Sequence, residues 1–299
     1  MKRRLIRWLP LALCAAAVIV AIFGFISARA PITVAHYRVD APGLRCTSPP
    51  FRVVVIGDLH VSDWTTPPAK VAEVVARANA ERPDLTLLVG DYFGQGWPED
   101  TAARSAGLAP LQALRPRIAT VAILGNNDWI DGAPQITGIL SGMGVVVLDN
   151  DALVTPEVSV MGVADISSDT ANPLRAIERA AAKRAAMHLP PAPLSLWLAH
   201  DAMMFDRVET TGDMLFTGHT HGGQVLPDIT IPLIRPMVQA ARALGFKASW
   251  PAEKYVRGYY HESGKGMIVT SGIGTSGLPL RLGVPPEIAV IAFTGCQPL

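Results

Sequence analysis

The stretch that decides the fold is FRVVVIGDLH, residues 51–60, in which a mostly apolar run leads directly into two side chains of metal-ligand type. The run Phe51–Ile56 predicts a buried strand, because it is short, rich in valine and followed at once by glycine. Gly57 lets the backbone turn sharply. Asp58 and His60 are two residues apart, so they lie on the same side of an extended segment. This stretch therefore predicts a strand whose carboxyl end presents a carboxylate and an imidazole together.

The same arrangement recurs at four further places along the chain. Apolar runs at 85–89, 118–124, 194–199 and 214–217 are followed by polar residues of the same type, namely Asp91, Asn126, His200, His219 and His221. Four of the seven histidines lie at the five strand ends. Because sites in open α/β sheets form outside the carboxyl ends of the strands, these residues are expected to converge on one metal site.

Helical patterns separate these runs. A helix beginning near Pro68 places four apolar residues on one face, namely Val71, Val74, Val75 and Ala78. Further helices are predicted at 101–114, at 134–143 and from Pro173, which Asn172 caps, to about residue 187. Additional strands are expected at 145–148, 158–163, 267–270 and 288–293. Strands that alternate with helices predict an α/β fold with a parallel or mixed sheet.

One segment, residues 227–262, gives no readable pattern. It combines prolines, arginines and aromatic residues. Its apolar side chains could cover the site, touch lipid or form ordinary core, and the sequence does not decide between these.

The N-terminus has the pattern of a membrane anchor. Four basic residues (Lys2, Arg3, Arg4 and Arg7) precede an uncharged apolar run at 8–26, and Arg29 follows it. About 18 apolar residues are just long enough to span a hydrocarbon layer of about 30 Å as a helix. The excess of basic residues before the run favours a cytoplasmic N-terminus. We therefore expect a single-pass signal anchor at 1–30 in the cytoplasmic membrane, and one periplasmic or otherwise extracytoplasmic domain at 31–299.

Two alternatives remain open for the N-terminus, and one for the cysteines. The triplet Ala28-Arg29-Ala30 has the small-x-small form of a signal-peptide cleavage site, and an apolar run can also be a buried core helix. Cys46 and Cys296 could form a disulfide outside the cytoplasm, or they could be two unpaired thiols.

Composition excludes several classes of protein. The 299 residues are 49% hydrophobic and 17% charged, which excludes a disordered chain. The net charge is +1, and residues 31–299 alone carry 21 basic and 25 acidic residues, or about −4. No nucleic-acid partner is expected, because nucleic-acid binders usually have a basic excess.

The order of these motifs resembles one known family. Asp-x-His, Gly-Asp, Gly-Asn-x-Asp, a lone His and Gly-His-x-His resemble the calcineurin-like metallophosphoesterase superfamily over residues 51–295. GHTHGGQ (218–224) and GTSGLP (274–279), followed by Pro-Pro-Glu at 285–287, resemble its bacterial membrane-anchored branch. The resemblance implies a four-layer αββα sandwich with mixed sheets.

The resemblance also implies two divalent metal ions and a ligand set. One metal would be held by Asp58, His60 and His221, the other by Asn126, His200 and His219, and Asp91 would bridge them. Imidazoles and hard oxygens suit Mn, Fe or Zn. The implied reaction is attack of a metal-bridging hydroxide on a phosphomonoester, phosphodiester or pyrophosphate.

The sequence departs from the family at Asn127. The family has histidine there, as the proton donor to the leaving group, and Asp128 would orient that histidine. We assign both positions to the catalytic site, although an amide cannot act as a general acid. Either the leaving group is already good, or another group such as His188 or His261 donates the proton. A third alternative is a catalytically weak, metal-dependent binding module.

The sequence does not identify the substrate. Family resemblance makes a lipid-linked phosphoester plausible, including the pyrophosphate of UDP-2,3-diacylglucosamine. That nucleotide sugar is cytoplasmic, whereas the basic N-terminal flank places the domain outside the cytoplasm. The sequence predicts no oligomeric state.

Overall fold

Two six-stranded sheets form the centre of the structure, a computed structural model that describes residues 2–44, 49–208, 214–244, 254–262 and 264–295. The strands of the first sheet are β1 (Thr33–Asp40), β2 (Phe51–Ile56), β3 (Leu85–Leu88), β4 (Ala119–Ala122), β5 (Val146–Val147) and β12 (Glu287–Thr294). They lie in the order β1-β12-β2-β3-β4-β5. In this sheet β2, β3, β4 and β5 are parallel, and β12 is antiparallel to β2.

The second sheet is mixed as well. Its strands are β6 (Asp151–Val154), β7 (Val158–Gly162), β8 (Leu194–Leu198), β9 (Met214–Thr217), β10 (Gly258–Glu262) and β11 (Lys265–Val269). They lie in the order β10-β11-β9-β8-β7-β6, with β7, β8, β9 and β11 parallel. The carboxyl ends of the parallel strands therefore share one edge within each sheet.

Six α-helices surround the sheets or precede them. They are α1 (Lys2–Ala28), α2 (Pro68–Ala80), α3 (Thr101–Leu108), α4 (Asn126–Gly142), α5 (Pro173–Ala186) and α6 (Pro227–Ala243) in the part of the chain that the structure describes. The predicted face of α2 is confirmed, since Val71, Val74, Val75 and Ala78 are all buried. The predicted cap of α5 is also confirmed, because the Asn172 side chain accepts from the backbone N–H of Arg175.

The alternation of side chains along β2 accounts for the layering. Val53 and Val55 point into the apolar layer between the two sheets. Val54 and Ile56 point the opposite way, into the layer that the first sheet shares with α2 and α4. Successive side chains of a strand face opposite sides of the sheet, so β2 is buried on both faces.

The outer face of the second sheet is covered by α5. Ala176 and Ala180 of this helix are buried in one cluster with Met161 of β7 and Trp197 of β8. Helices thus cover the outer face of each sheet, and the sheets pack on each other. The α/β class and the four-layer sandwich of mixed sheets predicted from the sequence are confirmed.

Two helices differ from their predicted bounds. The helix predicted at 101–114 ends as α3 at Leu108 and continues as a 3-10 segment, Ala109–Ala113. Pro110 lies at this change, and proline has no N–H for an α-helical hydrogen bond. The helix predicted at 134–143 begins earlier, at Asn126, and is interrupted at Gly132, where φ is 116°. Glycine allows that interruption at no steric cost.

Four elements lie where the sequence predicted none. They are β1, β6, β10 and α6. Strand β10 and helix α6 belong to the segment 227–262. Residues 245–253 of this segment, and Ser263 directly after it, lie outside the described residues. The cysteine pair Cys46 and Cys296 also lies outside the described residues, so a disulfide and two unpaired thiols both stay open.

Helix α1 is exposed along most of its length and attached at its end. Residues 11–23 are all exposed, whereas Gly24 and Ala28 are buried. By length and composition Leu11–Ala28 could span a membrane. Lys70 of α2 donates its Nζ hydrogens to the carbonyl oxygens of Arg29 (3.4 Å) and Ala30. The exposure of residues 11–23 does not fit a core helix, and the contacts at its end hold the helix to the domain.

Candidate metal centre

All seven predicted ligand residues lie beyond the carboxyl ends of parallel strands. Asp58 and His60 follow β2, Asp91 follows β3, Asn126 follows β4, His200 follows β8, and His219 and His221 follow β9. The loops are tied to one another by backbone contacts. The N–H of His60 donates to the carbonyl of Asp91 at 3.0 Å, and the N–H of His219 donates to Oδ1 of Asp58 at 2.9 Å. The two sheets therefore bring their carboxyl ends to one place.

The first group of side chains that could hold a cation is Asp58, His60 and His221. One ligand atom of each lies within 4.8 Å of the others. All three residues are buried, and the rings of His60 and His221 have centroids 4.8 Å apart. A carboxylate and two imidazoles are a donor set that suits Mn, Fe or Zn.

The second group is Asp91, His200 and His219, whose ligand atoms are again within 4.8 Å of one another. Oδ1 of Asn126 belongs to this group, since it lies 3.1 Å from Nε2 of His200 and 2.9 Å from Nδ1 of His219. Asp91 lies between the groups. Its Oδ2 is 3.3 Å from Nε2 of His60 and 3.4 Å from Nε2 of His200.

The backbone at these loops is unusual. Five of the seven residues have left-handed conformations, namely Asp58 (φ 50°), His60 (φ 39°), Asp91 (φ 58°), His219 (φ 68°) and His221 (φ 51°). Each such conformation costs of order 1–3 kcal/mol in a residue with a side chain. The rest of the fold offsets that cost, and the left-handed turns aim the side chains at a common point.

The hydrogen bonds of two histidines fix which ring nitrogen faces the centre. Nδ1 of His60 is 3.2 Å from the carbonyl oxygen of Phe93, and Nδ1 of His200 is 2.7 Å from that of Val89. A carbonyl only accepts, so Nδ1 carries the hydrogen and Nε2 of each neutral ring carries a lone pair. Histidine ligands are usually oriented by this kind of contact at the other nitrogen.

These lone pairs point at other acceptors. Nε2 of His60 is buried without a hydrogen-bond partner and faces the carboxylate of Asp91. Nε2 of His200 faces Oδ1 of Asn126. Acceptors that face acceptors in a buried site require a positive charge between them, which a proton on Nε2 or a divalent cation can supply. The residues present therefore fit divalent cations.

The charges of this centre depend on one another. Burial raises the pKa of Asp91, but the His200 and His60 imidazoles outweigh burial and hold the pKa of this carboxyl well below its usual range. Burial lowers the pKa of His200, but the Asp91 carboxylate outweighs it, so the pKa of His200 lies well above its usual value. The buried carboxylate therefore requires positive charge beside it, which is the charge that a divalent cation carries.

The Asp128 side chain binds backbone N–H groups and does not line the pocket. Its carboxylate is buried and accepts from the backbone N–H groups of Asp91 (2.7 Å), Tyr92 (2.9 Å) and Gly125 (2.8 Å). Burial and the nearby Asp91 carboxylate raise the pKa of Asp128 to about 7, although these three donors lower it. Asp128 thus joins the loop after β3 to the loop after β4.

Asn127 contacts Asp91 directly. Its Nδ2 donates to Oδ2 of Asp91 at 2.6 Å, and its backbone N–H donates to Oδ1 at 3.0 Å. Asn127 also lines a pocket of about 380 Å³ that opens beside the centre. Of the two predicted catalytic residues, Asn127 and Asp128, only Asn127 is therefore placed to touch a substrate in this pocket.

Several residues that line the pocket were not indicated by the sequence. Trp64, Trp97 and Arg104 line it, together with the loop 275–277 and Pro279. Arg104 is buried on α3, where its Nη1 donates to the carbonyl oxygen of Asp131 at 2.7 Å. Nothing in the local pattern around Arg104 indicates a pocket residue, whereas the glycine-rich stretch 274–279 was singled out by its motif.

Three further polar residues close to these loops have structural contacts. Asp165 and Asp201 each cap a short 3-10 helix, accepting from the backbone N–H of Ser167 and Met203 respectively. Arg281 is wholly buried and donates to the carbonyl oxygens of Ser271 and Gly274. Neither His188 nor His261, the alternative proton donors, is among the residues that line the pocket.

Replacing Gly90 with alanine is expected to lower both thermal stability and metal content. Gly90 has φ +92°, and a Cβ atom there would lie 2.9 Å from Nδ1 of His200 and closer still to the backbone nitrogen of Gly125. Crowding of this kind typically costs about 1–3 kcal/mol. The midpoint of thermal unfolding and the metal content of the full-length protein in detergent would measure the effect.

Gly96→Ala is the matched control. Gly96 has φ +81°, but a Cβ atom there would meet nothing within 4 Å. This variant therefore reports the backbone strain alone, about 1–3 kcal/mol. Equal losses of stability in both variants, with metal content unchanged, would show that the close approach at Gly90 does not matter.

Comparison with known proteins agrees with this geometry. The family described as calcineurin-like phosphoesterase matches residues 51–223. Phosphodiesterase YaeI of Escherichia coli is 30% identical over 251 residues, which are 81% of this chain and 82% of that protein. A Danio rerio transmembrane protein with a metallophosphoesterase domain is 25% identical over 92% of this chain and 60% of its own length.

This chain is shorter than several of the proteins it matches. It spans 59% of the length of the similar uncharacterized metallophosphoesterases of Helicobacter pylori. Among solved structures, a 5'-nucleotidase precursor from Thermus thermophilus superimposes with a TM-score of 0.43 at 14% identity, over 81% of this chain and 54% of that one.

Proposed function

The chain belongs to the calcineurin-like phosphoesterase family, and from this premise we propose that it is a membrane-anchored, dinuclear-metal phosphoesterase. Family membership indicates a metal-dependent hydrolase of phosphoesters as the class of enzyme. The observation that carries the proposal is the convergence of seven ligand-type side chains, in which Nε2 of His60 and of His200 face the oxygens of Asp91 and Asn126. Its substrate would be a phosphomonoester, a phosphodiester or a pyrophosphate.

Two divalent ions would be held by these side chains. Asp58, His60 and His221 would hold one, and Asn126, His200 and His219 the other, with Asp91 between them. Bound there, two divalent ions polarise a phosphoryl oxygen and lower the pKa of bound water. The ions would be Mn, Fe or Zn, because the site offers imidazoles and oxygens and no thiolate.

The protein's own residues would orient the substrate beside this centre. Asn127 lines the pocket, and because one N–H of its amide is used by Asp91, the second can donate to a phosphoryl oxygen. Asp128 acts as a positioning residue, through the backbone of Asp91 and Gly125. Arg104 adds positive charge to the pocket wall, where a phosphate would need it.

Asn127 also limits the leaving group. The amide cannot give up a proton, so the leaving oxygen must depart without a general acid at this position. Pyrophosphates and aryl esters have leaving groups of low pKa that need no such help. We therefore favour a substrate of this kind.

The test is turnover of a phosphoester panel by the full-length protein. After metal is removed by chelation, Mn, Fe, Zn and Mg would be added back separately. We expect hydrolysis of aryl phosphodiesters with at least one of the first three ions and none in the chelated protein. A fully metal-loaded protein that turns over no monoester, diester or pyrophosphate would contradict the proposal and favour the binding-module alternative, which Asn127 motivates.

We propose that residues 1–30 anchor the domain 31–299 in the cytoplasmic membrane, with the N-terminus in the cytoplasm. The basic residues before α1 and its exposed apolar surface support this topology. It argues against cytoplasmic UDP-2,3-diacylglucosamine and leaves other lipid-linked phosphoesters as substrates. A C-terminal reporter active only in the cytoplasm would reverse the topology and restore the nucleotide sugar as an alternative.

A further inference from the structure

Helix α6 is apolar on two opposite sides. Its inner side is buried through Ile231 and Val238. On the outer side, Ile229, Leu233 and Met237 are 58%, 68% and 71% exposed. These three residues are four apart, so they form one row along the helix. A surface helix of a globular protein normally has polar residues opposite its buried side, and an exposed apolar row of this size indicates a contact surface.

Among the side chains of α6 that the structure describes, the exposed polar ones lie on one flank. Asp228 and Gln239 are exposed there, between the inner and the outer apolar sides. Leu244, directly after the helix, extends the outer row and is 77% exposed. The outer side therefore has no charge among its exposed residues over its described length.

The start of α6 lies next to the end of α1. The backbone N–H of Leu226 donates to the carbonyl oxygen of Leu282 at 2.7 Å, and the N–H of Arg281 donates to that of Gly24 in α1 at 3.0 Å. A Cβ atom at Gly24 would lie 3.2 Å from Cβ of Leu280, so the helix and this segment are in close contact. Three consecutive residues thus connect the exposed apolar helix α1 to α6.

The rim of the pocket belongs to the same side of the molecule. Leu278, four residues before Leu282, is 62% exposed beside the pocket residue Pro279. Trp64 also lines the pocket and is 68% exposed, and its carbonyl oxygen accepts from Nη1 of Arg29 at 2.8 Å. Arg29 directly follows α1. The pocket therefore opens close to the point where α1 leaves the domain.

We propose that the outer row of α6 (Ile229, Leu233, Met237 and Leu244) lies on the bilayer surface, with Leu278 and Trp64 at the same level. The pocket would then open among the lipid headgroups. The proposal rests on the proposed anchoring by α1. That anchor, through its contacts with Lys70 and Arg281, fixes the distance of the domain from the bilayer. Apolar side chains of a surface helix insert into the boundary between headgroups and acyl chains, and tryptophan favours the same depth.

Photo-crosslinking of the full-length protein in nanodiscs tests this surface without measuring activity. Benzoylphenylalanine would replace Leu233 or Met237 in nanodiscs of phosphatidylethanolamine and phosphatidylglycerol. Gln239, on the polar flank, is the matched control on the same helix, and Val18 in α1 is the control for insertion. After illumination, mass spectrometry would detect phospholipid bound to the protein. We expect lipid adducts at positions 233, 237 and 18, and none above the dark background at 239.

The outcomes separate the two proposals. Adducts at 18 without adducts at 233 and 237 would overturn the contact of α6 with lipid and leave the anchoring intact. No adduct at 18 would overturn the anchoring itself. Crosslinks from 233 to a second copy of the chain would assign the row to a dimer instead of a membrane.

A charge substitution provides an independent check on the same surface. With the probe at Ile229, the double substitution Leu233→Asp and Met237→Asp is expected to abolish the lipid adduct, because carboxylates do not enter the apolar boundary. Gln239→Asp is expected to keep it. An adduct that survives the double substitution would contradict the proposal, provided that the thermal unfolding midpoint shows a folded domain.

Discussion

Asp91→Ala is expected to abolish metal-dependent hydrolysis. Oδ2 of Asp91 lies 3.3 Å from Nε2 of His60 and 3.4 Å from Nε2 of His200, so this carboxylate is the contact that both groups of ligands share. Removing groups that only orient a metal ligand typically costs about 10–100-fold. Loss of the shared ligand should cost more, roughly 10³-fold or beyond in kcat/KM, since it also leaves buried imidazoles without their carboxylate. Turnover of an aryl phosphodiester, measured together with bound metal, is the readout.

Two further variants make this result specific. His219→Ala is expected to cause a comparable loss, because it removes a ligand of the second group. Asp63→Ala removes an exposed carboxylate from the loop after β2 and is expected to keep the parent's turnover. If Asp91→Ala kept both turnover and metal content, the assignment of the centre would be wrong.

Asn127→His is expected to change which leaving groups the enzyme can expel. The variant places an imidazole in the pocket, where it can give a proton to the leaving oxygen, and a general acid contributes about 10²–10⁴-fold. Alkyl phosphodiesters need that proton, so their hydrolysis should rise by up to about 10²-fold. Aryl phosphodiesters should change little. The measurement is kcat/KM for an alkyl and an aryl diester under the same metal.

Asn127→Gln is the control, because it keeps an amide and adds no acid. It should leave the ratio of the alkyl to the aryl rate unchanged. Metal content must be measured in both variants, since Asn127 donates to Asp91. A histidine variant that retains its metal but accelerates both substrates equally, or neither, would show that this position does not govern proton donation.

The elements that the sequence predicted well are those with local, repeated patterns. The four apolar residues spaced along α2 became its buried face, and the valine run of β2 became a strand buried on both sides. Each pattern marks the side chains of the element that pack into the core, so it can be recognised from the local sequence. The order of Asp, His and Asn residues after five strands likewise indicated one metal site and one family.

The elements that the sequence missed depend on distant partners. Strand β1 is half-exposed and pairs in parallel with β12, so that Thr33 lies opposite Glu287 at the far end of the chain. Its residues 35–40 alternate between apolar and polar side chains, but this short pattern does not identify the distant partner strand. Helix α6 contains Pro232 and Pro236, which argue against a helix. Only the surrounding structure makes these segments regular.

The residue types and their order along the chain were enough to determine the fold class and the family, and to predict a set of side chains for a metal centre. The tertiary structure alone decided which ring nitrogen faces the centre, how Asp128 braces two loops, and where Arg104 and Trp97 form the pocket wall. The reason is physical. Strand and ligand patterns are local, whereas His200 is oriented by the carbonyl of Val89, and Asp91 by its position between two sheets. Contacts between segments so far apart in sequence exist only once both sheets have packed together.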